Sequence, residues 1–433
     1  MPTPTVPIES GPASCGSSPL SVTAAMTAAT TAPSPRNPFS RVYGRGGCSA
    51  IKRIQGWSII AVSGLAGWIG WSGHLATSWL PILLPFLYVA SKSKKYAALA
   101  VLAYYAAATH PILGGTVDYL GSHPRSFGYG FLFWFLSIVT ASSPWILFYF
   151  RPNPALSAIG ALVVLALPPL SPITVGHPLS AAGRCWPGFG WIGLLLPLPA
   201  LLFFQRAKLQ PLLLGAAIAV VAHCTFHRPA PDEHIVAINT NKGNSTKSST
   251  DLFRRTQTVI DLAMQYPGEI LLLPEGAIPA WSRAADTYWK DSFDRLSQQH
   301  TSVIFGTNLP ITLTRADYNV MITRGYGLHG AYIQRVPVPF IMWEPGSNTA
   351  GYPLQLQAFP YMDVRGRRAA VLLCYEQLLM WPALQALAHH PAMIFAPSNQ
   401  YWAAHTTIPD IQHTAVQNWA DLFAIPLYEA HNR

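Results

Sequence analysis

The sequence predicts an α-helical membrane bundle of about seven helices followed by an α/β domain. Half of the 433 residues are hydrophobic and only 11% are charged, far below the roughly 25% of an ordinary soluble chain. Up to about residue 225 the apolar residues fall into stretches near the roughly 20 residues that cross a bilayer. Beyond that point, apolar runs of strand length alternate with helical patterns, which is α/β punctuation.

The net charge of +10 would suit nucleic acid, but the basic residues sit in short clusters beside apolar segments. That is the pattern of membrane orientation, not of direct nucleic-acid binding. The five cysteines, Cys15, Cys48, Cys185, Cys224 and Cys374, form no CxxC pair and no metal or disulfide spacing. A P-loop, a GxGxxG fingerprint and an internal repeat are all absent from the sequence, so no cofactor and no nucleotide-driven transport is expected.

Residues 1–50 are rich in Ser, Thr, Pro, Ala and Gly and read as a disordered tail. They lack the basic leader and apolar segment of a signal peptide, and no apolar leader makes Cys48 a lipidation site. The membrane domain is expected over 51–225, with apolar stretches at about 57–73, 75–91, 96–113, 128–150, 155–173, 188–205 and 211–225. Arg45, Lys52 and Arg53 precede the first stretch and Lys92, Lys94 and Lys95 follow the second, so residues 57–91 form a hairpin with both ends on the basic side. Arg151, Arg206 and Lys208 fall on that side again, while the opposite loops carry only Arg125 and Arg184. Seven crossings then leave residues 226–433 outside the cytoplasm. Transport through the bundle is disfavoured, because the stretches hold almost no ionisable group beyond His74.

In the outer domain the candidate strands are His234–Asn239, Ile270–Leu273, Ser302–Gly306, Tyr318–Thr323, Ala331–Val336, Ala369–Cys374 and Met393–Ala396. Ser248-Ser249-Thr250 offers a helix N-cap, after which Leu252, Val259, Ile260 and Ala263 form one face. Lys290, beside Trp289 and Asp291, reads as a solvated charge on a second helix. Two strand ends carry chemistry: Ile270-Leu271-Leu272-Leu273 runs into Pro274-Glu275-Gly276, and Val371-Leu372-Leu373 into Cys374-Tyr375-Glu376. A thiol that is mostly protonated at neutral pH needs a base or a positive field to become a nucleophile. Glu275, its pKa raised by partial burial, can take the proton and return it to a leaving group.

These segments, with Ser398-Asn399-Gln400-Tyr401-Trp402, Ile408-Pro409 and Gln412-His413, fall in the order and spacing of the carbon–nitrogen hydrolase (nitrilase) superfamily. With membrane helices ahead of them the chain resembles the apolipoprotein N-acyltransferases, and also the TraB-type conjugal transfer proteins of bacterial plasmids. The resemblance implies a nitrilase-type four-layer α-β-β-α domain in the periplasm, anchored in a bacterial inner membrane. It implies a membrane phospholipid as acyl donor, a thioester on Cys374, and a lipoprotein or other amine acceptor. Glu275 would be the base, with Glu376, Tyr375 and Trp402 at the substrate and conjugation machinery as partners. A catalytically impaired envelope scaffold serving conjugation is the alternative.

The chain departs from that family in three places. The catalytic lysine's position, just before Val-Pro-Phe, is Gln334 in Tyr332-Ile333-Gln334-Arg335-Val336-Pro337-Val338-Pro339-Phe340. Arg335 is the nearest cation and would stand in for the lysine as an oxyanion stabiliser if a bulge turned it to the same face. A second family carboxylate falls on Met342, with Glu344 displaced by two. The sequence also stops at His431-Asn432-Arg433, before the closing strands and last membrane helix that the resemblance implies.

Overall fold

A computed structural model describes residues 43–91, 93–121, 123–150, 152–207, 209–243, 248–328, 330–343 and 350–433. The greater part of the expected tail, with Cys15, and the orienting or motif residues Lys92, Arg151, Lys208 and Glu344 lie outside the described residues, as do the side chains of Arg45 and Cys48. The chain divides into two compact units, Met1–Ala50 and Ile51–Arg433. The second carries everything that follows.

The helical part runs α1 (Tyr43–Gly70), α2 (Leu83–Ala90), α3 (Lys94–Ala108), α4 (Pro111–Leu120), α5 (Ser126–Leu147), α6 (Pro154–Ala166), α7 (Ala182–Cys185), α8 (Gly190–Leu195), α9 (Pro197–Ala207) and α10 (Leu209–Thr225). Among the described residues three segments are long and apolar enough to cross a membrane: Lys94–Leu120, Ser126–Leu147 and Gly190–Ala207. Leu75–Ala90, Pro154–Ala166 and Leu209–Thr225 are apolar but shorter. The stretch expected at 155–173 is α-helical only to Ala166. Leu167-Pro168-Pro169 and Pro172 follow, and proline both lacks the N–H a helix needs and biases its predecessor away from helix. Outward faces stay apolar: Ile54, Trp57 and Leu65 on α1, and Phe127, Phe131 and Phe135 on α5, are exposed. Rows of this kind mark contact with something other than water.

The α/β part holds β1 (Ile235–Ala237), α11 (Ser249–Ala263), β2 (Ile270–Leu272), α12 (Arg283–Gln298), β3 (Ser302–Pro310), β4 (Arg315–Gly325), β5 (Ala331–Ile333), β6 (Ala350–Gly351), β7 (Tyr361–Val364) and β8 (Arg367–Val371). It closes with α13 (Met380–Leu387), β9 (Met393–Asn399), α14 (Ile408–Phe423) and β10 (Leu427–Asn432). One sheet has the order β1-β2-β3-β4-β5, with β6 beside β4; the other has the order β10-β9-β8-β7. Parallel pairing joins β1, β2 and β3, likewise β10, β9 and β8, and β6 to β4, while the pairs β3–β4, β4–β5 and β7–β8 are antiparallel. Ser248 caps α11 as expected, its hydroxyl accepting from Asp251 N at 3.1 Å. Lys290 lies exposed on α12 and pairs with Asp294.

Three strands escape the periodicity reading. β6 has two residues, β7 is a short edge of mixed polarity, and β10 (Leu-Tyr-Glu-Ala-His-Asn) interleaves polar side chains with its apolar ones. β5 also ends earlier than expected, at Ile333, because the N–H groups of Arg335 and Val336 turn away from the ladder to a carboxylate described below.

Three apolar clusters order these pieces. Val259, Ile260, Trp289 and Phe293 of α11 and α12 pack with Val303, Phe305, Val320 and Ile322 on one face of the first sheet. The opposite face, with Ile270, Leu272, Ile304 and Met321, meets Ala369, Val371, Met393 and Phe395 of the second sheet. Ala370, Leu372, Ile394 and Ala396, on the far side of the second sheet, join Leu387 of α13, Val416 and Trp419 of α14, and Leu84, Tyr104, Trp145 and Leu162 of the helical part. Each fully buried side chain of this size contributes roughly 1.5–3 kcal/mol. The shared cluster therefore fixes α14 against the membrane-type helices. Gly183 of α7 allows the closest approach: a Cβ there would sit 1.7 Å from the carbonyl oxygen of Asn418.

Candidate active site

The turn after β8 places Cys374 at φ 51°, a left-handed conformation that a side chain adopts at a cost of about 1–3 kcal/mol. Glu376 holds this turn. Its carboxylate accepts from the N–H groups of Leu373 (3.0 Å), Arg335 (2.6 Å) and Val336 (3.1 Å), and from the Tyr332 hydroxyl. On the other side, Gln412 of α14 donates to the Cys374 carbonyl at 3.0 Å, and Gln400 donates to Gln412.

Glu275 approaches from the end of β2 and hydrogen-bonds with the Cys374 thiol. Its Oε1 accepts from Asn319 Nδ2 at 2.6 Å and its Oε2 from Asn399 N at 2.9 Å. Gly306 on β3 makes room for it, since a Cβ there would lie 2.4 Å from the Glu275 Cα. Burial raises the carboxyl above the usual range, against hydrogen bonds from Cys374, Asn319 and Asn399 that pull it down. The thiol is pushed well above the ordinary cysteine value, first by burial and then by the Glu275 carboxylate. The backbone of Asn399 and of Tyr375 opposes that shift. The hydrogen-bond partners of the Glu275 carboxylate are the neutral groups of Cys374, Asn319 and Asn399.

The two neighbours at the lysine position part company, as alternation along an extended chain demands. Gln334 turns to the site: its Oε1 accepts from Asn319 Nδ2 at 2.9 Å and its Nε2 donates to the Leu373 carbonyl at 3.2 Å. Arg335 turns away, and the expectation that it replaces the lysine is corrected. No bulge intervenes, and its guanidinium is buried on Val371 O, Pro382 O, Gln385 and the Tyr332 hydroxyl, 3.7 Å from Glu376. Glu376 also departs from its expected place at the substrate. It is fully buried and spends its oxygens on backbone N–H groups and Tyr332, so it shapes the turn.

Tyr375 and Trp402 do border open space. They line, with Cys374, a cavity of about 230 Å³ whose other walls come from the helical part (Trp71, Thr109, Ile112, Thr116, Phe133, Thr140) and from the loop Val338–Ile341. None of its lining residues carries a charge. Phe340, half exposed, stacks on Phe133 of α5 with centroids 5.7 Å apart. Asn319 went unnoticed in the sequence, although a polar residue inside Tyr318-Asn319-Val320-Met321-Ile322 was a signal. Gln412 belonged to a quoted motif, but nothing in the sequence pointed it at the nucleophile. Its neighbour His413 pairs with Glu429 at 2.7 Å, away from the thiol.

No protein-family model matches the chain. It is similar along most of its length to two curated proteins. One is a conjugal transfer protein TraB of Agrobacterium fabrum, 29% identical over 90% of this chain and 96% of the relative. The other is a probable TraB of Sinorhizobium fredii, 28% identical over 85% of this chain and 96% of the relative. Among solved structures, an amidase of the nitrilase superfamily from Nesterenkonia aligns with a TM-score of 0.30 at 15% identity, covering 46% of this chain and 74% of the amidase. A glutamine-dependent NAD+ synthetase from Acinetobacter baumannii aligns with a TM-score of 0.29 at 14% identity, covering 38% of this chain and 32% of the synthetase. The resemblance to TraB proteins read from the motifs thus extends over most of the chain.

Proposed function

We propose that this chain is a membrane acyltransferase of the carbon–nitrogen hydrolase type, carrying an acyl group on Cys374 and passing it to an amine during plasmid conjugation. The observation that carries this reading is the uncharged cavity joining the helical part to the thiol. A hydrocarbon chain can enter it without exposing a polar group, so the donor never leaves the bilayer. The pairing of two sheets through one cluster, with α11 and α12 against one and α13 and α14 against the other, supports a four-layer α-β-β-α reading. The basic-loop parity and the three long apolar segments support a seven-helix anchor in the inner membrane with the α/β domain in the periplasm. The similarity to TraB proteins supports the conjugal setting.

In the first step Cys374 gives its proton to Glu275 and its sulfur attacks the ester carbonyl of a phospholipid. The carbon–sulfur bond forms, the carbon–oxygen bond breaks, and Glu275 returns the proton to the leaving alkoxide. The Tyr375 N–H bears the transient charge on the carbonyl oxygen. In the second step a neutral amine attacks the thioester. The carbon–nitrogen bond forms, the carbon–sulfur bond breaks, and the amine's proton passes through Glu275 to the sulfur.

Gln334 favours a second reading, an envelope scaffold that has kept the fold without the catalysis. An amide supplies a hydrogen bond but no charge, and a thiol left above its ordinary pKa is a weak nucleophile near neutral pH. Intact-protein mass spectrometry after incubation with phospholipid separates the two. An acyl adduct on Cys374 is expected of the enzyme. A protein that takes no adduct from phospholipid or from activated acyl esters, yet still supports plasmid transfer, is the scaffold.

A further inference from the structure

A thioester on Cys374 fixes one end of an acyl chain, and the cavity decides where the other end stops. Its walls differ in what they offer. Towards α5 the cavity is open, with Leu136 38% exposed and Phe340 51%. Trp402 is backed by Tyr119 at the end of α4, edge-on with centroids 5.8 Å apart, so that wall is two aromatic rings thick. Trp71, just past the end of α1, and Ile411 of α14 line the cavity where it is closed, each only 6% exposed. The same two side chains also line a second cavity of about 10 Å³, whose other walls include Ser78, Thr414 and Asn418. They stand between an apolar space and a polar one.

Trp71 is also held in place. Its indole N–H donates to the Tyr104 hydroxyl at 3.0 Å, and that hydroxyl donates to the Gly176 carbonyl at 3.0 Å. Both rings belong to the buried cluster shared with α14. A ring fixed by close packing and a hydrogen bond does not swing aside, and a terminal methyl gains nothing among the polar groups beyond it. We propose that Trp71, together with Ile411, is the specificity-determining floor of the cavity and sets the longest saturated acyl chain that Cys374 can carry. This rests on the acyl-carrier reading for the identity of the chain alone.

The test labels full-length protein in one detergent with straight-chain alkyl methanethiosulfonates, from methyl to hexadecyl. The Cys374 thiolate attacks the sulfenyl sulfur, the alkyl disulfide forms, and methanesulfinate leaves. Labelling is followed on the Cys374 peptide by mass spectrometry, and each rate is divided by the same protein's rate with the methyl reagent. In the wild type this ratio is expected to climb with chain length and then to fall about tenfold past one length, where the chain overfills a closed space. Trp71→Leu is expected to move that limit about two methylenes longer, because it leaves a void where the indole stood. Ile411→Ala opens the other half of the floor, moves the limit the same way, and serves if the tryptophan variant does not fold. No limit up to hexadecyl in the wild type, or a limit that both variants leave in place, overturns the proposal. So does a limit moved by Leu136→Ala alone, which runs the chain along α5 instead. If the limit moves with Trp71 while phospholipid gives the wild-type protein no acyl adduct, the floor stands and the acyl-carrier reading falls. If phospholipid acylates Cys374 while the limit stays, the reverse holds.

Discussion

Asn319 Nδ2 donates to Glu275 Oε1 at 2.6 Å, and the same nitrogen lies 2.9 Å from Gln334 Oε1. The residue at the lysine position is thus wired to the base through a neutral amide, and no positive charge enters the circuit. That arrangement sets the reactivity of Cys374, and it can be altered one residue at a time.

Because burial and the Glu275 carboxylate hold the thiol above its ordinary pKa, alkylation of Cys374 by iodoacetamide should rise with pH through that raised value. Gln334→Lys adds an ammonium beside both groups, favours thiolate, and should move the whole profile to lower pH. Near pH 7 the rate should gain about tenfold for each unit moved, until the thiolate predominates. An unmoved profile would mean that position 334 does not act on the sulfur.

Among Cys185, Cys224 and Cys374, only the last lines the cavity. Cys374→Ala should abolish the acyl adduct seen by mass spectrometry, whereas Cys185→Ala and Cys224→Ala should leave it intact. Adduct surviving in Cys374→Ala would remove Cys374 as the acyl carrier.

Arg335 is expected to act on stability instead of rate. Arg335→Met leaves Glu376 buried without its partner, which should cost about 3–5 kcal/mol in a denaturant titration in detergent. Adduct formation per folded molecule should hardly change. A large loss of rate at unchanged stability would return the arginine to the site.

Glu275 carries a pH signature of its own. Its folded pKa is raised by burial, so its contribution to stability is full below its unfolded pKa and is lost as pH rises through the raised value. Glu275→Gln, which keeps an acceptor for Asn399 N, should therefore melt progressively higher than wild type as pH rises through that value. A difference in melting temperature that stays constant with pH would show that the carboxyl does not titrate in this range.

Topology is checked by fusion. A reporter active only in the periplasm should be active after Thr225 and silent after Lys95; the reverse pattern would remove the seven-helix reading.

Much of this protein was legible in its sequence because the signals are local. Composition and apolar run length announced the helical part, and strand-length runs announced β1 to β5, β8 and β9. The turns after Leu273 and Leu373 marked the two reactive groups, and strand alternation already placed Gln334 and Arg335 on opposite faces unless a bulge intervened. What remained depended on partners distant in the chain. Whether Arg335 reached the thiol was decided by Pro382, Gln385 and Val371, which take up its guanidinium, and by Glu376, which pulls the chain off its ladder at residues 335 and 336. β10 was invisible because its pairing, not its own pattern, makes it a strand: Leu427–Asn432 lie in register with Ile394–Asn399. The cavity and the aromatic wall formed by Tyr119 and Trp402 join residues hundreds of positions apart, and no spacing encodes them. They exist because α14 is buried in one cluster with both the second sheet and the membrane-type helices, which brings an uncharged bundle surface up against a strained cysteine turn.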